Sequence, residues 1–291
     1  MRLASLMESR RLTKLASGCI ANHGYDPNYF GLLFAVEDKH FWFCTRNRVI
    51  AALVHRIAAT PQSGHRILEV GCGTGNVLRI LENGFPQGTV VGMDLFAEGL
   101  QYARRRTSCD LVQGDVHKLP FCSRFDLIGL FDVLEHLPDD RRVLRDLHSI
   151  LKPRGVLILT VPAHQSLWSY FDEISHHRRR YGPSELESKL ISTGYSVEYL
   201  TLFMASVFPI VWVKRRSMRI DRDLDRKASR MHHMALAELR IVPVVNELLT
   251  LLLAQEAWLI SHHGRLPIGT SLLAVARKRP NDQLATELPD V

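Results

Sequence analysis

The sequence predicts an α/β fold: an open, mainly parallel sheet with a helical cap before it and a helical insertion late in the chain. Three observations carry this expectation. Short apolar runs opening Arg66 to Asn76, at 89–94, opening Phe125 to His136 and at 156–161 read as buried strands separated by helical patterns. The run Arg66-Ile-Leu-Glu-Val-Gly-Cys-Gly-Thr-Gly-Asn76 joins the first of these strands to a helix through three alternate glycines. At 291 residues, 46% hydrophobic and 23% charged, the chain can bury one large core and carry an appendage or two.

Residues 1–60 read as the cap. Glu8, Arg10, Arg11 and Lys14 interrupt any apolar core that a signal peptide would need. Within Tyr25 to Thr60, the positions Val49, Ile50, Leu53, Val54 and Ile57 follow helical spacing and should pack down. Just ahead, His40-Phe-Trp-Phe-Cys-Thr-Arg46-Asn-Arg48 concentrates aromatic and cationic groups.

The core, 61–205, opens on the glycine turn. Glycines at 71, 73 and 75 let the backbone turn sharply and approach a ligand that a Cβ would push away. Glu69 sets a carboxylate beside that turn, which suits a ligand carrying an ammonium group. A phosphate-binding loop instead offers bare helix N–H groups and usually a Lys. The dinucleotide pattern Gly-x-Gly-x-x-Gly needs a third glycine where this chain has Asn76 or Leu78, so neither frame fits.

Thr89-Val-Val-Gly-Met-Asp94 reads as the next strand and ends in an acid 19 residues after Gly75. An acid placed there hydrogen-bonds the ribose of an adenosine cofactor. It also suits a helix N-cap, since Ala97 to Arg106 looks helical. Gln113-Gly-Asp115-Val116 is a turn. Phe125 to His136 is a strand running out into a loop, and Leu137-Pro-Asp-Asp starts a helix. Leu151-Lys-Pro-Arg-Gly155 reads as a turn before the strand Val156 to Val161.

Taken in order, these segments resemble the class I S-adenosylmethionine-dependent methyltransferases over residues 66–161. An acid, one residue, then Gly-x-Gly-x-Gly is similar to that family's motif I. Gln113 to Val116 resembles the segment whose Asp meets the adenine amino group. Asp132-Val-Leu-Glu-His-Leu-Pro is nearly the signature of the small-molecule branch that includes ubiquinone-type O-methyltransferases.

The resemblance implies a Rossmann-like seven-stranded sheet, S-adenosylmethionine as cofactor and S-adenosylhomocysteine as product. Around the cofactor it places Glu69, Gly71, Cys72, Gly73, Gly75 and Asn76 from the turn, with Asp94, Leu95, Asp115, Val116 and Phe131 from the strand ends that follow. In this class an N-terminal helical segment often closes over the cofactor. Phe41, Trp42 and Arg46 would then wall it, with Arg46 reaching the methionine carboxylate. A packing cluster with a surface arginine is the alternative.

The loop Pro162 to Tyr181 follows the carboxyl end of a central strand, where open α/β sheets build their sites. His164, Trp168, Arg178 and Tyr181 are its candidate substrate contacts. Arg178 to Arg180 suit a carboxylate or phosphate, or else form a charged face. Asp172 with His176 or His177 has metal-ligand chemistry, but no fixed pattern such as HExxH is present, and no metal is expected.

Pro183 opens a helix that Gly194 stops. Tyr195 to Phe203 and Thr270 to Lys278 are the sixth and seventh strands, an antiparallel pair that this fold joins by a short connection. Here about 65 residues intervene. In this insertion, 206–267, Ala235 to Ile260 has an apolar face with Asn246, Glu247, Thr250 and Glu256 as polar breaks, and Pro243 kinks or starts it. A substrate lid or a partner contact such as a homodimer arm ranks first, and contact with a membrane surface second. The last strand occupies 268–279, and 280–291 reads as a flexible tail. The apolar stretches Leu202 to Val213 and Leu248 to Ile260 fall short of the roughly 20 residues that span a bilayer.

A net charge of +7 raises nucleic acid as a partner, yet no aromatic-basic RNA motif or recognition helix stands out, and none is expected. Basic residues gather at Lys214 to Arg230, Arg178 to Arg180 and Arg104 to Arg106, the last read as a solvated face. Five cysteines without a CxxC pair argue against a zinc or disulfide framework, and Cys72 inside the turn suggests a reducing, cytoplasmic setting.

Methyl transfer from a sulfonium needs an aligned nucleophile and, where that nucleophile carries a proton, a base. His136 is the first candidate base, followed by His176 and His177. A carboxylate acceptor needs no base. The expected acceptor is a small anionic molecule, with O-methylation as the default and C-methylation of a lipid or isoprenoid precursor next. A non-catalytic binding protein acting through 206–267 is the reading from another class.

Overall fold

The computed structural model describes residues 13–14, 27–58, 64–122, 124–218 and 237–279. The rest of the expected N-terminal cap, the basic stretch from 219 to 230 and the tail 280–291 lie outside the described residues.

Seven strands form the expected sheet: β2 (Arg66–Val70), β3 (Thr89–Asp94), β4 (Asp110–Gln113), β5 (Phe125–Phe131), β6 (Leu151–Pro162), β7 (Tyr195–Phe203) and β8 (Ser271–Lys278). A two-residue strand, β1 (Thr13–Lys14), adds an edge that the helical reading of 1–60 did not contain. The order is β1-β4-β3-β2-β5-β6-β8-β7, parallel except for β8, which runs antiparallel to both β6 and β7. The chain winds outward from β2 through β3 to β4 and then returns to β5 on the other side of β2. That reversal opens a crevice at the carboxyl ends of β2 and β5, where a ligand can enter an open sheet. The strands face helices on both sides, so β2 is buried along almost its whole length.

Lys152 to Gly155 do not form a separate turn. β6 runs through them as a bulge: Phe125 pairs with Leu151, and the next pair is Leu127 with Val156. Arg154 takes a φ of +62° to absorb the extra residues.

The cap consists of α1 (Tyr29–Val36) and α2 (Phe41–Ala58). Val49, Ile50 and Val54 of α2 are fully buried, as their spacing predicts, and pack with Leu78 and Leu81 of α3 (Leu78–Gly84). The sheet's outer crossings are made by α4 (Ala97–Ala103), α5 (Asp140–Ile150) and α7 (Pro183–Ser192), with a short α6 (Tyr170–Ile174) in the loop after β6.

The insertion carries α8 (Phe208–Met218) and α9 (Pro243–Ser261). Pro243 starts α9 at its first turn, where a missing N–H costs nothing. Two of the residues that interrupt its apolar pattern, Asn246 and Glu256, are its anchors. Asn246 accepts from the Phe41 N–H at 2.8 Å and donates to the Lys39 carbonyl at 2.9 Å, which ties α9 to the start of α2. Glu256 is buried and accepts from the N–H groups of Ala205 (2.9 Å) and Ser206 (2.7 Å), just ahead of α8. Leu253, Ala257 and Ile260 pack inward beside it, while Val244, Leu251 and Trp258 face out. Among the described residues α9 is the one helix long and apolar enough to cross a membrane. Its polar side, however, is bonded to the rest of the chain.

Glu256→Ala should remove an acceptor from two backbone donors at once. A loss of about 2 kcal/mol in urea unfolding is expected, with Glu256→Gln losing less.

Candidate cofactor and acceptor site

One cavity of about 910 Å³ lies over the switch point. Its floor is the glycine turn, where Gly71, Gly73 and Gly75 take φ values of +74°, +48° and +77°. A Cβ at Gly71 would meet Val133 Cγ2 at 2.3 Å, and one at Gly75 would meet the Ala103 backbone at 2.9 Å. Gly73 is different: its nearest neighbour would be the Phe30 ring at 3.6 Å, so its open side is where a ligand can come close to the backbone. Gly75 does not line the cavity. It belongs to the helix–turn packing rather than to the predicted cofactor contacts, because α4 lies directly against it.

The other predicted cofactor residues all border the cavity: Glu69, Gly71, Cys72, Gly73, Asn76, Asp94, Leu95, Asp115, Val116, Phe131, Trp42 and Arg46. Glu69 is buried, and its Oε2 has no hydrogen-bond partner among the described residues. Burial holds its carboxyl well above the ordinary range, opposed by Arg46 and reinforced by Asp94 and Glu37. An arriving ammonium group supplies the donor this oxygen lacks and restores its charge. The cradle at Gly73 and the orphaned oxygen at Glu69 therefore fit the aminoacyl part of S-adenosylmethionine.

Asp94 Oδ2 accepts from the Gly73 N–H at 2.7 Å, and Oδ1 accepts from the Phe96 N–H at 2.8 Å. The carboxylate thus braces the glycine turn and the entry to α4 while keeping lone pairs for ribose hydroxyls. Burial pushes it up to about 6, against the pull of those N–H groups. Asp115 accepts from the His117 N–H at 2.8 Å and caps a short 3₁₀ turn at the cavity edge.

The cap is clasped to this floor by ions. Arg106 is buried and donates to Glu37 Oε2 at 2.5 Å, to Thr74 Oγ1 at 2.7 Å and to the Phe34 carbonyl at 2.9 Å. The solvated face expected at Arg104 to Arg106 therefore does not include Arg106: Phe34 stacks over the guanidinium at 4.2 Å and excludes water. Arg46 is also buried and donates to Asp132 Oδ2 at 2.9 Å, with Trp42 at 5.2 Å. Asn76 accepts from Asn47 Nδ2 at 2.6 Å, so α2 holds the turn directly.

Further lining comes from the 3₁₀ turn Leu134–His136, the loop after β6, and α8. His136 borders the cavity, but burial and the neighbouring His177 push its imidazole down to about 3, which makes it a poor proton acceptor. His177 also faces the cavity. His176 does not: with a φ of +55° after α6, it projects into solvent. Asp172 is buried; burial alone would raise its carboxyl, but hydrogen bonds from His177 (2.9 Å) and Arg180 (2.7 Å) hold it down at about 2.

Of the four predicted substrate contacts, only Arg178 borders the cavity. Tyr181 is fully buried and its hydroxyl donates to Asp140 at 3.0 Å, a core role. His164 packs beside Phe208, and neither it nor Trp168 borders the cavity. Sequence reasoning missed Val207, Ile210, Val211, Lys214 and Arg215, which line the cavity from α8 and the turn before it. Their spacing of three and four residues was the available signal, hidden by reading 214–230 only as a basic run. Glu135 was missed too, although it stands next to His136 in the Asp132 to Pro138 signature.

Residues 42–200, just over half the chain, match the family described as methyltransferase domain. A trans-aconitate 2-methyltransferase of Deinococcus radiodurans is 35% identical over 127 residues, covering 43% of this chain and 46% of that protein. A fatty-acid O-methyltransferase of Mycolicibacterium smegmatis is 34% identical over 145 residues, 48% of this chain and 51% of the other. The malonyl-[acyl-carrier protein] O-methyltransferase of Enterobacter lignolyticus is 33% identical over 154 residues, 50% of this chain and 59% of that one. The chain thus spans about half the length of the curated relatives it matches. In solved structures, the partner of the Haloferax volcanii Trm112 methyltransferase activator shares the fold with a TM-score of 0.56 at 20% identity, over 87% of this chain and 97% of that chain. The YcgJ protein of Bacillus subtilis does so with a TM-score of 0.52 at 18% identity, over 79% and 98%.

Two outcomes test the site. Affinity for S-adenosylmethionine should fall as the pH drops through about 6, because Asp94 takes up a proton and loses its acceptor capacity. Asp94→Asn should remove that dependence and weaken binding about 10- to 100-fold in calorimetry from pH 5 to 8. Arg106→Ala should strand the buried Glu37 carboxylate and cost about 3 kcal/mol in chemical unfolding.

Proposed function

The chain belongs to the S-adenosylmethionine-dependent methyltransferases, and from that premise we propose that it methylates a small anionic acceptor, with a carboxylate oxygen as the favoured target. One observation carries this reading. A single cavity joins the acid–glycine turn on one side to Arg178, Lys214 and Arg215 on the other, with Val207, Ile210 and Val211 as apolar wall between them.

S-adenosylmethionine, when bound, supplies an electrophilic methyl group on a sulfonium centre. Glu69 would hold its ammonium group, Asp94 its ribose, and Asp115 with Val116 its adenine. What remains for the protein is to position the nucleophile in line and keep water out. Arg178 is suited to positioning, since its Nε donates to the His136 carbonyl at 3.0 Å, which fixes the guanidinium at the cavity edge. Guanidinium groups pair with carboxylates in a defined plane, so an arginine there orients an acceptor as well as attracting it. α8 and α9 form the lid, α9 bonded to the cap and α8 lining the cavity. A carboxylate attacks as an anion, so no group need take a proton. This agrees with the depressed basicity of His136. The relatives named above for trans-aconitate, fatty acids and malonyl-[acyl-carrier protein] favour the same acceptor chemistry.

The apolar wall suits an acceptor with a hydrocarbon part, and the exposed Trp212 and Val213 of α8 beside Arg216 suit delivery of such a molecule from an anionic lipid surface.

Incubation with methyl-labelled S-adenosylmethionine and a panel of fatty acids and short polycarboxylates should place the label in a base-labile methyl ester. Arg178→Ala should raise KM about tenfold with a smaller change in kcat. Label in a base-stable product would move the reading to C-methylation, and cofactor binding with no transfer to any acceptor would move it to a binding protein.

A further inference from the structure

We propose that Glu135, His136 and His177 form a binding site for a divalent first-row transition metal, zinc or a near neighbour, within the acceptor half of the cavity. One ligand atom from each residue can be chosen so that all lie within 4.8 Å of one another. Donors bound at about 2.1 Å to one cation sit roughly 3.0–3.4 Å apart, so closure on a metal asks for side-chain adjustments of about an ångström.

Glu135 supplies the independent observation. Its side chain is 1% exposed, and Oε2 has no hydrogen-bond partner among the described residues. The carboxylates of Asp132 and Asp172 lie near enough to disfavour its charge further. A buried carboxyl in that position either holds a proton or, when ionised, calls for a cation, and an arriving metal ion can displace the proton. The nearby protein cation, Arg180, is already committed: its Nε donates to Asp172 and its Nη1 to the Ala163 carbonyl at 3.1 Å.

Both imidazoles are held as ligands are held. His177 Nδ1 bonds to Asp172 Oδ1 at 2.9 Å, leaving Nε2 directed at Glu135 Oε1, 4.0 Å away. His136 is hydrogen-bonded to the backbone of His176, and its ring stands edge-on to His177 with centroids 4.8 Å apart. A carboxylate or carbonyl behind a histidine fixes its tautomer and turns the other nitrogen to the metal. The two segments are pinned together by Arg178, whose N–H donates to the Glu135 carbonyl at 2.8 Å. Two imidazoles and one carboxylate suit zinc, iron(II) or cobalt(II) rather than magnesium or calcium, which prefer oxygen throughout. All three residues border the cavity, so the remaining coordination positions face the acceptor and suit its carboxylate oxygens. That last assignment rests on the carboxylate-acceptor reading; the metal site does not.

The test uses full-length, tag-free protein dialysed against chelator, titrated calorimetrically with zinc chloride and, separately, followed in the visible spectrum on adding cobalt chloride. One equivalent should bind with micromolar or tighter affinity, and cobalt should give the intense d–d bands of a low-coordinate nitrogen–oxygen site. Glu135→Gln and His177→Ala should each weaken zinc at least about 100-fold, and Asp172→Asn about 10-fold or more. All three should keep S-adenosylmethionine affinity within about threefold, which shows that they remain folded. No binding by the wild-type protein, or binding unchanged in the isosteric Glu135→Gln variant, would overturn the proposal. Metal bound without methyl-ester formation would leave the site standing and remove the acceptor reading. Ester formation by protein that binds no metal would do the reverse.

Discussion

The architecture of this site depends on how its buried carboxylates are neutralised. Placing a carboxylate in a low-dielectric crevice is costly unless a cation or several N–H groups accompany it. Most of those here are accompanied, and each pairing joins two parts of the chain. Glu37 with Arg106 brings α1 to the glycine turn, and Asp132 with Arg46 brings α2 to the end of β5. Asp172 with Arg180 and His177 orders the loop after β6, and Glu256 uses backbone donors to dock α9 at the start of α8. Asp94 is compensated by backbone N–H groups, among them those of Gly73 and Phe96, and keeps acceptor capacity.

Two carboxylates stand outside this scheme. Glu69 and Glu135 are both buried, each with one oxygen lacking a partner among the described residues, and both line one cavity. In a protein whose other buried acids are matched, such groups are the places suited to cations from outside the chain. An ammonium group would answer the first, and the proposed metal ion the second. The difference follows from surroundings: Glu69 stands beside an open glycine backbone, whereas Glu135 stands beside two oriented imidazoles.

The insertion shows how one helix can serve two surfaces. α9 directs Asn246, Leu253 and Glu256 to the protein and Val244, Leu251 and Trp258 outward. Its composition resembles that of a membrane segment, but its hydrogen bonds give it a fixed seat on the cap. The connection between β7 and β8 thereby becomes the wall of the acceptor half, and the apolar face left outside remains available to a lipid or a partner.

Sequence patterning alone was enough for the sheet, for the glycine turn and for an acid at the ends of β2 and β3. These depend on local geometry: a strand end places its residues at the sheet edge whatever the rest of the chain does, so the positions of Glu69 and Asp94 followed from spacing, whereas Asp115 was placed by the family resemblance. The Lys152–Gly155 bulge was not, because a proline and a glycine signal a turn equally well inside or outside a strand. The lining contributed by the loop after β6 and by α8 depended instead on contacts made in the folded chain. His176 and His177 are neighbours in sequence, yet one faces solvent and the other the cavity. Tyr181 and Arg106 look polar enough for a surface and are buried by long-range partners at Asp140 and Glu37. Those outcomes depend on contacts between residues 40 to 70 positions apart, which pattern and propensity do not encode.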